Sequence, residues 1–161
     1  MAFPRRSPLV ILTGTDPASA LGGIGYSMKG YLRALDVANI PWITIPTYHP
    51  AKPGGRWRPW LGAFPALRKE ISRARKQGKR VLVYSHAGAG ISLLREFFVL
   101  AFVRAMGAVP LLQLHAVQVE GYLAHPIKRR LFLCAIAPAR VLGAQTPWWR
   151  RLLTEAGISK P

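Results

Sequence analysis

Acidic side chains are scarce: 6 Asp plus Glu stand against 23 Lys plus Arg, a net charge of +17 over 161 residues. That imbalance excludes a charge-neutral surface and makes polyanions the expected partners, whether nucleic acid, anionic lipid headgroups or phosphorylated substrates. Cysteine is nearly missing. The single Cys134 can close no intrachain disulfide, so a reducing cytosol is the expected compartment. Its setting, Leu131-Phe-Leu-Cys-Ala-Ile136, reads as that of a small buried hydrophobe. His49, His86, His115 and His125 lack the spacing of metal ligands, so no metal is expected. Long hydrophobic runs are missing too. The longest, Ile91 to Met106, is broken by Arg95, Glu96 and Arg104 and falls short of the ~20 residues that span a bilayer. Arg5 and Arg6 precede Leu9 to Leu12, but that run is too short for a secretory signal. A soluble or peripheral protein is expected.

What is present argues for one packed domain over residues 1–161. Half of the chain is hydrophobic and 5 residues are Trp, enough to build a core and against disorder. Short apolar, branched runs alternate with segments of helical period. Strands are expected over 7–13, 41–45, 80–85, 109–115 and 140–144, and helices over 26–38, 64–77, 91–106, 127–135 and 148–156. That alternation predicts a Rossmann-like three-layer α/β/α domain with a mainly parallel sheet. Between the second strand and second helix, residues 46–65 hold Pro46, Pro50, Pro53, Pro59 and Pro65 around Arg56-Trp57-Arg58-Pro59-Trp60. They read as a long functional or mobile loop.

In parallel sheets, ligands bind outside the carboxyl ends of the strands. The most telling segment there is Gly22-Gly23-Ile24-Gly25, between strand one and the first helix, where backbone N–H groups and a helix dipole can hold a phosphate. It is not a dinucleotide fingerprint. The third glycine of G-x-G-x-x-G is missing, and no acidic residue ends strand two to hold a ribose. A G-x-x-x-x-G-K-[ST] loop is absent as well.

Five segments in the same order resemble the N-terminal, acceptor-side domain of GT-B fold, family 4 retaining glycosyltransferases. Gly22 to Gly25 is similar to the family's GGxG loop, and Val83-Tyr-Ser-His86-Ala to its "vHvH" strand end. Gly107 to Ala116 is similar to the segment ending in a strand-end His-Gly. Arg140 to Thr146 and Leu152 to Ile158 resemble the strand and helix that follow. The resemblance covers nearly the whole chain and implies one half of a GT-B architecture. By the same resemblance, Gly22, Gly23 and Gly25 would contact the diphosphate of a nucleotide-sugar donor. His115 would act at the transferred sugar, and His86 and Glu120 would line the acceptor or sugar side. An imidazole suits the first role, since it donates or accepts a hydrogen bond near neutral pH. Ala116 departs from the family's glycine. The sequence ends near the family's interdomain linker, so a C-terminal donor-binding domain or partner subunit is the implied partner. No cofactor is implied beyond the nucleotide-sugar substrate.

Basic residues gather on the second helix and the loop before it. Arg56, Arg58, Arg68, Lys69, Arg73, Arg75 and Lys76, with Trp57 and Trp60 as interfacial anchors, form an expected contact with an anionic membrane, and Lys128, Arg129 and Arg130 form a second basic cluster. Peripheral docking on the cytoplasmic face, with a lipid-linked or glycan acceptor, is the expectation. A non-enzymatic basic module is the alternative, binding membrane or stacking Trp on nucleic acid bases. It leaves the glycine loop and the strand-end histidines without a role.

Overall fold

The computed structural model describes residues 7–19, 22–50, 52–115 and 118–158. Arg5, Arg6, Ala116 and the last residues of the expected linker lie outside them. Five parallel strands form one sheet in the order β2-β1-β3-β4-β5. They are β1 (Leu9–Thr15), β2 (Trp42–Tyr48), β3 (Val81–Ala87), β4 (Val109–Leu114) and β5 (Val141–Gly143). The helices between and after them are α1 (Gly23–Val37), α2 (Arg58–Lys76), α3 (Ile91–Ala105), α4 (Val119–Leu123), α5 (Pro126–Ile136) and α6 (Pro147–Glu155). The chain is thus a Rossmann-like α/β domain with helices on both faces of the sheet. β1 is Leu-Val-Ile-Leu, buried on both sides, as a central parallel strand must be.

Alternation along β1 separates the two layers. Val10 and Leu12 pack on Met28 of α1. Leu9 and Ile11 pack on Leu67 and Ile71 of α2 and on Val99 and Val103 of α3. Farther along the sheet, Leu112, Leu114 and Leu142 meet Leu93 and Leu100 of α3, Phe132 and Ile136 of α5, and Trp149 and Leu153 of α6. The helix after β1 therefore lies on one face and the helix after β3 on the other. Between those two strands the connections diverge, and such a divergence opens a crevice at the carboxyl ends.

Most expected elements appear, with shifted ends. The largest difference is the segment 46–65. β2 runs on through Pro46 to Tyr48 and α2 begins at Arg58, so only residues 49–57 connect them. Pro46 fits because β2 is an edge strand, where the missing N–H has no ladder partner to lose. Pro59 stands in the first turn of α2, where proline is tolerated. Pro65 lies inside the helix, whose buried stripe of Ala63, Leu67, Ile71 and Ala74 runs past it on both sides. Cys134 is also not as expected: it is exposed. In α5 the inward stripe is Phe132 and Ile136, four apart, while Leu131 and Cys134, three apart, share the outer face. No helix among the described residues is long and apolar enough to cross a membrane.

Candidate functional site: a histidine ladder at the strand ends

Neighbouring residues of β3 point to opposite faces and enter two different polar networks. On the α1 face, His86 Nδ1 lies 2.9 Å from His115 Nε2, the rings stacked with centroids 5.2 Å apart. His115 Nδ1 lies 2.7 Å from the side-chain Nε2 of Gln145. The ladder thus bridges the ends of β3, β4 and β5. It also has a direction. The Gln145 amide donates to His115 Nδ1, so neutral His115 carries its proton on Nε2 and donates it to His86 Nδ1. His86 then holds its own proton on Nε2, a buried atom with no hydrogen-bond partner among the described residues.

Close approach shapes this site. Gly14, at φ +135°, sits against His86; a Cβ there would stand 2.8 Å from the His86 carbonyl oxygen. Tyr31 and Tyr84 pack their rings on His86 at 5.3 and 4.7 Å, and both hydroxyls donate to Gln113 Oε1. Gln113 Nε2 donates in turn to the Gly143 carbonyl at 3.0 Å. Burial, with the nearby charge of His115 second, holds the His86 pKa down to about 3. Burial lowers His115 as well and raises Tyr84. The two rings are therefore neutral at physiological pH. His86 is 1% exposed and lies behind half-buried His115, which is the ring that meets solvent.

On the other face, Ser85 Oγ and Thr13 Oγ1 are 2.7 Å apart, and Thr13 Oγ1 donates to Glu96 Oε2 at 3.0 Å. Thr47 Oγ1 donates to the other oxygen, Glu96 Oε1. One buried carboxyl on α3 thus ties together the ends of β1, β2 and β3. Burial pushes its pKa up, while the hydroxyls of Thr47, Thr13 and Ser85 and the charge of Arg95 oppose that rise. Beside it, Arg95 donates to the Arg56 carbonyl at 3.1 Å and stacks its guanidinium on Tyr48. Outside this cluster, the Asp16 carboxylate after β1 accepts from Ser19 Oγ, the Ala18 N–H and His49 Nδ1. Burial would raise it, but these donors prevail and its pKa is lowered.

The glycine segment opens α1. Gly22 is its N-cap and Gly23 its first residue, and no side chain caps the N-terminal N–H groups. Gly22 and Gly23 are exposed, and a Cβ on either would meet no described atom within 4 Å. Packing against the described residues does not require glycine there. Gly25 is buried on the helix. Of the residues expected to line the site, His86 and His115 come together. Glu120 is exposed on α4 and makes no hydrogen bond to either ring among the described residues.

The basic set divides. Arg56, Trp57, Arg58, Arg68, Lys69 and Lys76 are exposed. Arg75 donates to the Met106 carbonyl at 2.6 Å, closing the end of α3, and Arg73 pairs with Glu70 at 2.8 Å. Trp60 is half-buried; its Nε1 donates to the Arg95 carbonyl and its ring sits edge-on to Phe64 and Phe98. That leaves it poorly placed to stack on a base. Gln145 and Gly14 fall in the segments after the strands, 145–146 and 13–25, that the sequence marks for ligand contact, without a role of their own. Gln113 was not singled out, and the signal for Glu96 was a charged pair, Arg95-Glu96, inside an apolar helix. Among the described residues, no group of three or more His, Cys, Asp or Glu could hold a metal ion. Compared with known proteins, the chain matches no protein-family model and no curated protein.

Proposed function

We propose that this domain is the acceptor-side half of a glycosyltransferase of the GT-B type, moving a sugar from a nucleotide-sugar to a lipid-linked or glycan acceptor at the cytoplasmic membrane face. In this reading the donor diphosphate sits at the N-terminus of α1, on the N–H groups of Gly22 and Gly23, where the helix dipole favours an anion. His115 faces the transferred sugar. Its ring is neutral and held in one tautomer by buried His86, and a sugar hydroxyl that displaces the exposed Gln145 amide donates to a positioned Nδ1 acceptor rather than a mobile one. His86 positions His115 from behind. A second domain or subunit supplies the grip on base and ribose, and the domain alone does not catalyse transfer.

The observation that carries the reading is the ladder of His86, His115 and Gln145 at three strand ends, in the same α/β framework as an uncapped glycine-opened helix. The family resemblance of those same segments supports it.

Binding of a panel of nucleotide diphosphate sugars to the chain, followed by calorimetry or amide NMR, tests the proposal. Gly23→Val is the matched variant, because added carbon atoms there find open space and leave the fold intact. Weak binding to wild type that Gly23→Val abolishes is the expected result. No binding of any nucleotide-sugar, with salt-sensitive binding of RNA or DNA instead, would replace the enzyme reading with the nucleic-acid module.

A further inference from the structure

The layer formed by α2, α3 and α5 leaves a band of apolar side chains in solvent. Trp57, Leu94 and Phe98 are 47%, 49% and 46% exposed, and Ile127 and Leu131 are 64% and 67% exposed. Edge-on rings carry the band across the helices: Trp57 to Trp60 at 5.9 Å, Trp60 to Phe98 at 6.0 Å, and Phe98 to Phe97 at 5.1 Å. Phe97 then forms the wall of a groove of about 390 Å³ between α3 and α5. Leu94 lines one side, Leu131 and Cys134 the other, and among the described residues Lys128 is the one charged lining residue. Tyr122 of α4 completes the lining, its hydroxyl accepting the Gly90 N–H at 2.9 Å.

Position and charge restrict what can cover this band. Trp57 precedes α2, Leu94 and Ile127 lie in the first turns of their helices, and Phe98 and Leu131 reach the midpoints. Helices in a parallel α/β sheet run opposite to the strands, so the band lies at the carboxyl ends, as does the histidine ladder. Arg56, Arg58, Lys128 and Arg130 are exposed at the same end. A second copy is a poor occupant, because two surfaces of net charge +17 repel. A surface that is apolar at its centre and cationic at its rim, with a Trp at its edge, complements an anionic bilayer.

We propose that this face seats the protein on an anionic phospholipid leaflet, with the α3/α5 groove taking one acyl chain and the Lys128 ammonium meeting that lipid's phosphate. Lysine suits the place: its aliphatic stem lies along the apolar wall while the charge reaches the rim. The inference rests on the membrane part of the function proposed above and moves the contact. The far half of α2, with Arg73, Arg75 and Lys76, lies toward the amino ends of the strands and is not the seat.

Cys134 makes a direct test available, since it is the chain's only cysteine and lines the groove. The full chain is mixed with phosphatidylglycerol or phosphatidylcholine vesicles, and maleimide alkylation of Cys134 is timed by mass spectrometry beside co-sedimentation. Phosphatidylglycerol should slow alkylation about tenfold and phosphatidylcholine far less, since each basic residue near an anionic surface adds to binding. Leu94→Asp with Leu131→Asp should abolish both the protection and most of the co-sedimentation. Both positions are about half-exposed or more, so folding should survive, as near-UV circular dichroism would verify. Lys69→Glu with Lys76→Glu should leave the protection in place. Co-sedimentation with Cys134 alkylated at its lipid-free rate would overturn the groove while leaving the membrane reading intact. Lipid-free protection that grows with protein concentration would overturn it in favour of a second copy. Absence of co-sedimentation at low salt would remove both groove and membrane docking, and nucleotide-sugar binding would then stand or fall separately.

Discussion

Ser85 and His86 are neighbours on β3, yet they belong to networks of opposite character. Ser85 joins Thr13, Thr47 and Glu96 in a closed cluster. Each carboxyl oxygen of Glu96 has a hydroxyl donor, and Ser85, Thr13, Thr47 and Glu96 are each 0–1% exposed. His86 joins His115 and Gln145 in an open one. One end is a buried nitrogen with no partner among the described residues, and the other is a glutamine and a histidine that reach solvent. A satisfied buried network stiffens a fold, whereas one left unsatisfied needs another explanation, and function is a common one. The closed cluster holds the strand ends in register; the open ladder is where a ligand can be met.

Separating the two roles begins with the largest effect. Glu96→Ala removes the acceptor that Thr13 and Thr47 share, leaving them only the Ser85 hydroxyl and the Gly14 carbonyl, and opens a cavity beside them. It should cost about 3–5 kcal/mol in urea unfolding, while Glu96→Gln, which keeps an acceptor, should cost far less. Acid comes next. His86 titrates near 6.5 unfolded and near 3 folded, so the unfolded chain binds more protons in that window and stability falls as pH drops through it. Between pH 6.5 and 4.5 the loss should reach ~2 kcal/mol. Glu96, raised above its ordinary 4.5, acts with the opposite sign as pH climbs above that value. Denaturation measured across pH in Glu96→Gln removes the opposing group and leaves His86, His115 and Asp16, all lowered; adding His86→Gln should flatten most of that curve.

Gly14→Ala should cost about 2 kcal/mol, because the new methyl meets the His86 carbonyl and the backbone there is one that L side chains rarely adopt. Chemical unfolding measures that loss, and a displaced His86 ring resonance would accompany it. Smallest of all is His115→Ala. The ring is half-buried and ends the ladder, so thermal unfolding should move by less than about 1 kcal/mol while any nucleotide-sugar response is lost. A large stability loss there would make the open ladder structural and erase the contrast with Glu96.

The sheet was legible because parallel strands write themselves as continuous apolar runs: Leu9 to Leu12 and Val81 to Val83 need no context. Glycines past α2, α3 and α6 marked where those helices stop. α4 went unseen because Val119–Leu123 is shorter than two turns and shows no period. The start of α2 was hidden by prolines, two of which, Pro59 and Pro65, belong to the helix. Cys134 was misread because an unbroken apolar run does not say which of its residues turn outward. His86 and His115 could be found one at a time from their places at strand ends. Their contact could not, nor could the Glu96 cluster, whose members are drawn from four separate elements. Register brings them together, and register is not written locally.

Ring-nitrogen NMR of His115, with the chain titrated against nucleotide diphosphate sugars, tests the open ladder most directly. A saturable shift of the His115 resonances, with a smaller response at His86 and none in Gly23→Val, is the result this account predicts. His115 resonances that stay fixed while a nucleotide-sugar binds elsewhere, or while none binds at millimolar concentration, would contradict it.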